Sequence, residues 1–390
     1  MKTSHKLLLG SQHTVAMFGA TVLMPLLTGL NPSIALFCAG VGTLLFHLVT
    51  GRIVPVFLGS SFAFIAPILA ATQSGFSLDY VTGGIASAGL VYIAFAFFAF
   101  LLGPHRIKSL FPPIVTGPII IVIGLTLAPV AIKMASHNWL LAILTLGTVT
   151  LAAVFCRGLL KILPILLGVT VGYLVALGLG QVDTTPIHHA AWLGLPPFTE
   201  AKFDWRVSLL IAPVAIVSIM EHIGDVLTNG RVVGKDFFQK PGLQRTLLGD
   251  GLASALSGLV GGPVLTTYAE NTGVLAITKV YDPSVLRISA IFAIFLGLSP
   301  KIAALLQTLP AGVLGGISIL LFGMIASIGV RTLAESEIDF AHSRNLIIVS
   351  IILVLGLGGA HFTLPTALPF EVNGMALAAI TGIVLNLLLP

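Results

Sequence analysis

The sequence predicts an all-α polytopic membrane protein with fourteen transmembrane segments. Three observations carry that prediction. Of 390 residues, 56% are hydrophobic and only 8% charged, where an ordinary soluble domain carries about 25% charged residues. Apolar stretches of spanning length follow one another from end to end, and at about 20 residues per span the chain has room for roughly twelve to fourteen. Lys and Arg are also sorted by loop. With the N-terminus inside, only Lys133, Lys202, Arg206 and Lys301 of the 19 basic residues fall outside. That asymmetry follows the positive-inside rule and supports an even number of spans with both termini cytoplasmic.

The elements follow in order. Residues 7–28 form the first span. They contain Gln12 and His13, and no small-residue cleavage site follows, so they read as a span and not as a cleaved signal. Residues 34–50 form the second. The third, 54–72, opens with Pro55 and reaches Ser60 and Ser61, so it reads as a short extended stretch feeding a helix that starts near Phe62. Segments 81–103, 111–132, 138–156 and 159–180 complete the first half. Residues 181–206 form an extracytoplasmic loop. The second half comprises 207–229, 245–261, 264–280, 284–308, 309–331, 344–360 and 372–389. Its tenth segment opens like the third, with Pro263, Thr266 and Thr267 before a helix from Ala269.

One further parallel links the halves. Pro112 and Pro113, followed by Gly117 and Gly124, resemble Pro310, followed by Gly315 and Gly323. A seven-span repeat must be inverted in the membrane, because seven is odd. Inverted repeats with interrupted helices at matching positions are a mark of secondary transporters, and the interruptions point to the binding site. Extended backbone at membrane depth is tolerated only where it is buried in protein or lines a cavity. Helices starting there present free N–H groups at the midplane.

Three carboxylates lie inside these apolar segments: Glu221 and Asp225 in the eighth, Glu270 in the tenth. An acidic residue at the centre of a spanning helix costs about 2.5–3.5 kcal/mol on insertion scales. Glu221 and Asp225 are four apart and share a helix face. Two carboxylates so close in a low dielectric do not both ionise easily, which suits them to carry a proton. His13 is expected to support the site, while His222, about 100° round the helix from Glu221, reads as structural and His47 as interfacial. Asp250, at the start of the ninth segment, reads as a helix-end residue near the cytoplasmic surface.

Enzyme readings find no support. Glu221–His222 does not make a His-Glu-x-x-His zinc site, Leu247–Asp250 lacks the first glycine of the intramembrane aspartyl protease motif, and no nucleotide-binding loop stands in a soluble context. Cys38 and Cys156 suggest neither a disulfide nor a metal site. No cofactor, metal or nucleic-acid partner is expected. The net charge of +5 belongs to the inner loops, and the surrounding partner is lipid.

The run Glu270-Asn271-Thr272-Gly273-Val274-Leu275-Ala276-Ile277-Thr278-Lys279 resembles the signature of the nucleobase–ascorbate transporter family, also called nucleobase:cation symporter-2. The chain is similar to that family again at Gln12-His13, Gly59-Ser60-Ser61-Phe62-Ala63-Phe64 and Glu221-His222-Ile223-Gly224. Val182 to Ile187 resembles its bacterial uracil-transporting members. The likeness covers essentially the whole chain.

The resemblance implies fourteen spans in two inverted repeats, in a bacterial cytoplasmic membrane. Residues 1–103 and 207–308 would form a core domain. Residues 104–180 and 309–390 would form a gate domain that also makes a homodimer. Substrate would lie between the two. By residue match, Glu221 would bond the N–H and C=O edge of a pyrimidine and Glu270 another ring N–H. Backbone near Phe62, Tyr268 and Ala269 would meet its carbonyls. Ala20 and Phe62 would line the pocket, with Gln12, His13 and Asn271 in support. The family implies uptake driven by the proton gradient, with sodium as the other possible ion.

One position departs. Uracil-transporting relatives carry His where this chain has Asp225, and purine carriers often carry Asp. Glu270, in contrast, is the uracil-type residue. Uracil is therefore the expected substrate, with xanthine or another purine as the alternative. An anion exchanger or channel on the same fold is a more distant one.

Overall fold

A computed structural model of the protein describes residues 3–103, 111–157, 163–360, 362–364, 370–372 and 374–389. Four of the basic residues assigned to the inner side, Lys2, Arg106, Lys108 and Lys161, lie outside the described residues. The first half runs α1 (Thr3–Thr28), α2 (Pro32–Val49), β1 (Leu58–Ser60), a short 3₁₀ turn (Phe62–Phe64), α3 (Ile65–Gln73), α4 (Leu78–Leu102), α5 (Pro113–Thr126), α6 (Ala128–Ala135), α7 (Trp139–Phe155) and α8 (Pro164–Gly178). The outer loop carries α9 (Thr185–His189). The second half runs α10 (Trp205–Ile211), α11 (Ala215–Val233), α12 (Leu243–Leu259), β2 (Leu265–Thr267), α13 (Ala269–Thr278), α14 (Pro283–Gly297), α15 (Pro300–Gln307), α16 (Ala311–Ala334), α17 (Ser343–Leu357), β3 (Phe362–Leu364), β4 (Phe370–Val372) and α18 (Gly374–Leu388).

Local sequence sets many of these ends. Asn31 caps α2 by accepting from Ser33 N at 2.8 Å, with Pro32 at the first helical position, where its missing N–H is not needed. Asp282 caps α14 in the same way through Ser284 N. Pro300 cannot continue α14, and the chain bends by 77° into α15. The eleventh segment is thus two helices, where the sequence reads as one.

Among the described residues, six helices are long and apolar enough to cross a membrane, or seven counting α14–α15 as one bent span. Shorter apolar helices accompany them. The protein is a mostly helical, multi-pass membrane protein.

The third and tenth segments are strand–helix units, as the sequence predicts. β1 and β2 pair antiparallel, with Leu58 opposite Thr267, Gly59 opposite Thr266 and Ser60 opposite Leu265. Three-residue strands leave backbone groups that lipid cannot satisfy, and neighbouring helices supply the partners. Thr43 of α2 accepts from Leu58 N at 2.9 Å, and Ser254 of α12 accepts from Leu265 N at 3.0 Å. Gly59 is obligatory: a Cβ there would lie 2.3 Å from the Tyr268 ring. Tyr268 closes the crossing by donating its hydroxyl to Ser60 O at 3.0 Å. The sequence offered no sign of a second, peripheral hairpin, in which β3 pairs with β4.

Packing sorts the helices into two groups. In one, α4 packs on α12, α2 on α12 and α14, and α1 on α14. In the other, α16 packs on α5, α6 and α7, and α17 on α5 and α18. With no hydrophobic force between helices in lipid, close approach at small residues holds such pairs together. A Cβ on Gly89 would meet Ala255 N at 2.4 Å, and one on Gly258 would meet Ala86 N at 2.4 Å, so α4 and α12 touch backbone to backbone. Gly40 and Gly297 do the same between α2 and α14.

Candidate functional site

A cavity of about 340 Å³ lies where the two groups meet. One wall comes from the strand crossing and the helix starts beside it: Ser60, Phe62, Thr267, Tyr268, Ala269 and Glu270. Part of that wall is α11, with Glu221, Gly224, Asp225 and Thr228. The opposite wall is Ile120 of α5 and Leu321, Met324, Ile325, Ile328 and Thr332 of α16. One side is therefore polar and acidic, the other almost wholly apolar. The cavity is of the size at which small-ligand sites begin.

The structure brings all three carboxylates to this one cavity. Glu221 and Asp225 project from one face of α11 as their spacing predicts, and Gly224 between them leaves the floor bare. Glu270 enters from the first turn of α13, where a negative charge is favoured by the helix dipole. Asp225 Oδ2 accepts from Thr267 Oγ1 at 3.3 Å. Glu221 Oε2 is buried with no hydrogen-bond partner among the described residues. Among the described residues no Lys or Arg lines the cavity. The site thus offers strong acceptors with open capacity and no cation.

Of the other residues singled out from sequence, Phe62, Tyr268 and Ala269 line the cavity. The Tyr268 N–H is committed to Phe57 O at 3.0 Å, so Tyr268 offers its ring, and the open N–H groups begin at Ala269. Ala20 is fully buried and does not line the cavity. His13 and Asn271 lie behind the wall: Asn271 Nδ2 donates to His13 Nδ1 and to His13 O, both at 3.1 Å, and so docks α13 onto α1. Gln12 is half-buried and does not line the cavity.

Two polar residues differ from their sequence reading. Asp250 is fully buried, not at a surface, because α12 begins at Leu243 and puts Asp250 two turns inside. Asp250 Oδ2 lies 2.7 Å from His222 Nδ1. His47 is fully buried, not interfacial, and donates from Nε2 to Val56 O at 3.0 Å, holding the extended lead into β1. Asn229, not singled out from sequence, donates to Pro55 O and Thr272 Oγ1. It ties α11 to both broken segments. The α16 wall was also missed. Its stripe at 321, 324, 325, 328 and 332 has helical spacing, but in an apolar helix that pattern marks no face.

Comparison with known proteins places this geometry. A family model described as "Permease family" matches residues 4–364. A uracil permease of Bacillus caldolyticus is 48% identical over 98% of this chain and 91% of its own length. A uracil permease of Escherichia coli is 42% identical over 97% and 90%. Among solved structures, the transmembrane domain of a cyanobacterial bicarbonate transporter, BicA, superposes with a TM-score of 0.64 at 17% identity, covering 96% of both chains. The murine anion transporter Slc26a9, in an inward-facing state, gives 0.71 at 12% identity over 99% of this chain and 68% of its own.

Proposed function

The chain belongs to this permease family, the nucleobase–ascorbate transporter family, and from that premise we propose that it imports a nucleobase, uracil first, in symport with protons. It is a transporter and not an enzyme. The observation that carries the substrate reading is the acceptor-rich cavity. Three carboxylates without a cation suit a neutral planar ring with N–H donors. Glu221 and Glu270 take ring N–H groups, Ala269 N–H meets a carbonyl, and Phe62 and Tyr268 present aromatic faces. The names of the relatives support uracil. Asp225 keeps a purine such as xanthine as the second reading.

The same cavity argues against an anion exchanger. The likeness to bicarbonate and anion transporters is one of fold, and an anion would face three carboxylates here.

The architecture reads as two inverted repeats of seven spans. The six long helices, the bent pair α14–α15, the five shorter apolar units, α12 and the β2–α13 unit together make fourteen. Matching contacts support the repeat. Thr43 holds β1 as Ser254 holds β2, and the Gly89–Ala255 and Gly258–Ala86 approaches mirror Gly40–Ala290 and Gly297–Phe37. The group containing the strands is the core, and the group built on α16 is the gate, which also carries the homodimer contact. In the proposed cycle a carboxylate of the cavity takes a proton from outside, uracil binds, and core moves against gate.

Purified protein in liposomes is expected to accumulate labelled uracil when the outside is acidic, and an uncoupler is expected to abolish the accumulation. Accumulation that follows an imposed sodium gradient instead would replace the proton. Competition by xanthine but not uracil would transfer the substrate assignment to purines.

A further inference from the structure

The loop between the two halves carries large apolar side chains that no helix covers. Trp192, Leu193 and Leu195 are 76%, 73% and 78% exposed, more than Phe295 on the open face of α14, at 61%. A contiguous exposed patch of this kind marks an interaction surface. The loop backbone is nevertheless fastened down. Gly194 N–H donates to Leu298 O at 2.9 Å, and Lys301 N–H donates to Ala191 O at 3.0 Å. Thr199 N–H donates to Val260 O at 3.3 Å, and Lys202 N–H to Asp79 O at 2.9 Å. The Lys202 ammonium pairs with the Asp79 carboxylate at 2.6 Å. The Phe198 ring meets Phe37 edge-on, with centroids 5.3 Å apart.

These partners share one position in the fold. Leu298 closes α14 and Val260 closes α12. Asp79 lies in the first turn of α4, and Phe37 near the start of α2. The loop therefore runs along four helix ends on one side of the molecule, all in the group that contains the strands. Among the described residues, none of these bonds goes to the group built on α16. The ends of spanning helices mark where bilayer meets water, and Trp is favoured at that level because its ring is apolar and its N–H polar.

Cations lie over rings at the same level. Lys301 Nζ is 4.8 Å from the centre of the Trp192 ring and Lys202 Nζ 5.8 Å from that of Tyr80. The Arg206 guanidinium is 5.9 Å from the centres of Phe76 and Trp205. Three of the four basic residues that charge sorting puts outside thus have aromatic partners. A long basic side chain laid on a ring keeps its stem on apolar surface and its charge among polar groups. The loop also continues an open apolar surface, because Ala201 N–H bonds Leu259 O, and Leu256 and Leu259 of α12 are exposed.

We propose that Trp192, Leu193 and Leu195, with Lys301, form a phospholipid-anchoring surface that fixes the depth of the core group in the bilayer. The apolar side chains enter the boundary of the acyl chains, and the Lys301 ammonium meets headgroup phosphate. The anchor holds the core and not the gate, so movement of one against the other works against it. The role in transport rests on the core–gate cycle above; the lipid contact does not.

Two measurements test it. The chain has three Trp residues, and in liposomes the fluorescence lost in Trp192→Phe is that of Trp192. That fraction is expected to be quenched about threefold more by phosphatidylcholine brominated near the headgroup end of its chains than by aqueous iodide. Iodide quenching that equals or exceeds the lipid effect puts the loop in water. Quenching by neither puts it under protein, such as a second copy. Either result overturns the proposal. The combined variant Trp192→Ser, Leu193→Ser, Leu195→Ser is expected to bind uracil in detergent within about threefold of the parent, read by thermal stabilisation. Its uptake in liposomes is expected to fall by about threefold or more, and to lose the dependence on acyl-chain length that the parent shows. Parental uptake, or equal loss of binding and uptake, overturns the depth-fixing role. If the combined variant does not fold, Lys301→Glu, which repels headgroup phosphate, is read in the same way. A parent that binds uracil and transports none refutes the transport reading instead and leaves the quenching result standing, so the two failures are distinguishable.

Discussion

The Glu221 carboxylate has a buried oxygen that no group among the described residues satisfies, so a ligand N–H placed there meets an open acceptor. Hydrogen bonds to charged groups contribute about 1.5–3 kcal/mol. Glu221→Gln and Glu270→Ala are each expected to weaken uracil binding by about 10- to 100-fold, read as loss of ligand-induced thermal stabilisation. Near-parental affinity in both variants would remove the site assignment. Glu221, Asp225 and Glu270 were legible because a carboxylate inside an apolar run is an energetic anomaly on its face. Asp250 carries the same anomaly. It lies close enough to the polar loop before α12 to pass for a helix-end residue, and only the packing of α12 shows otherwise. The apolar residues of α16 were illegible for the opposite reason: in lipid, an apolar side chain is unremarkable whether it faces a ligand, a helix or an acyl chain.

Among the elements, the strand crossing was the most legible, since Pro followed by hydroxyl residues in both halves foretold extended backbone. That the two extended stretches cross as short strands was also legible, but their register was not, because three residues carry no pattern that selects one. Gly59→Leu is expected to destabilise the fold severely, lowering the unfolding temperature or preventing expression as a monodisperse species, because its side chain would occupy the place of the Tyr268 ring. A parental melting profile would contradict that packing. At the entry to α14, Lys6 pairs with Asp282 at 2.6 Å and also donates to Ser284 Oγ at 2.7 Å. Burial alone would push the Asp282 carboxyl up, but hydrogen bonds from Lys6 and Ser284 outweigh it and hold the group at about 2. A carboxyl held low in the folded state stabilises above its unfolded value, about 3.9. That contribution is lost as pH falls from about 4 through about 2. Lys6→Met should remove most of this acid dependence from the unfolding temperature, and an unchanged acid limb would show the pair to be inert.

Across the whole molecule, the cavity continues into a second cleft of about 550 Å³ through their shared residues Gly224, Thr228 and Thr332. That cleft reaches Arg231 and Glu335. In the orientation proposed from the positive-inside rule, this shape is an inward-open path. A cysteine at Thr332 is expected to react with an impermeant maleimide applied from the cytoplasmic face, and saturating uracil is expected to slow that reaction severalfold. Labelling only from the opposite face would reverse the orientation. That the chain is a mostly helical, multi-pass membrane protein was readable because composition acts over the whole chain, whereas the bend at Pro300 and the break between α5 and α6 depend on where neighbours leave room.

The β1–β2 ladder has a mechanical consequence. It bolts the two halves of the chain together through main-chain bonds that side-chain rearrangement cannot undo. In the proposed cycle Glu221, Glu270 and the N–H groups of α13 would therefore travel as a single carriage, and only the apolar wall they face would be exchanged. A passenger held by the carriage keeps its grip whichever door is open. Uracil should then dissociate with similar constants at the two membrane faces. Accumulation would come from the steepness of the ion gradient and not from a loosened hold on the inner side.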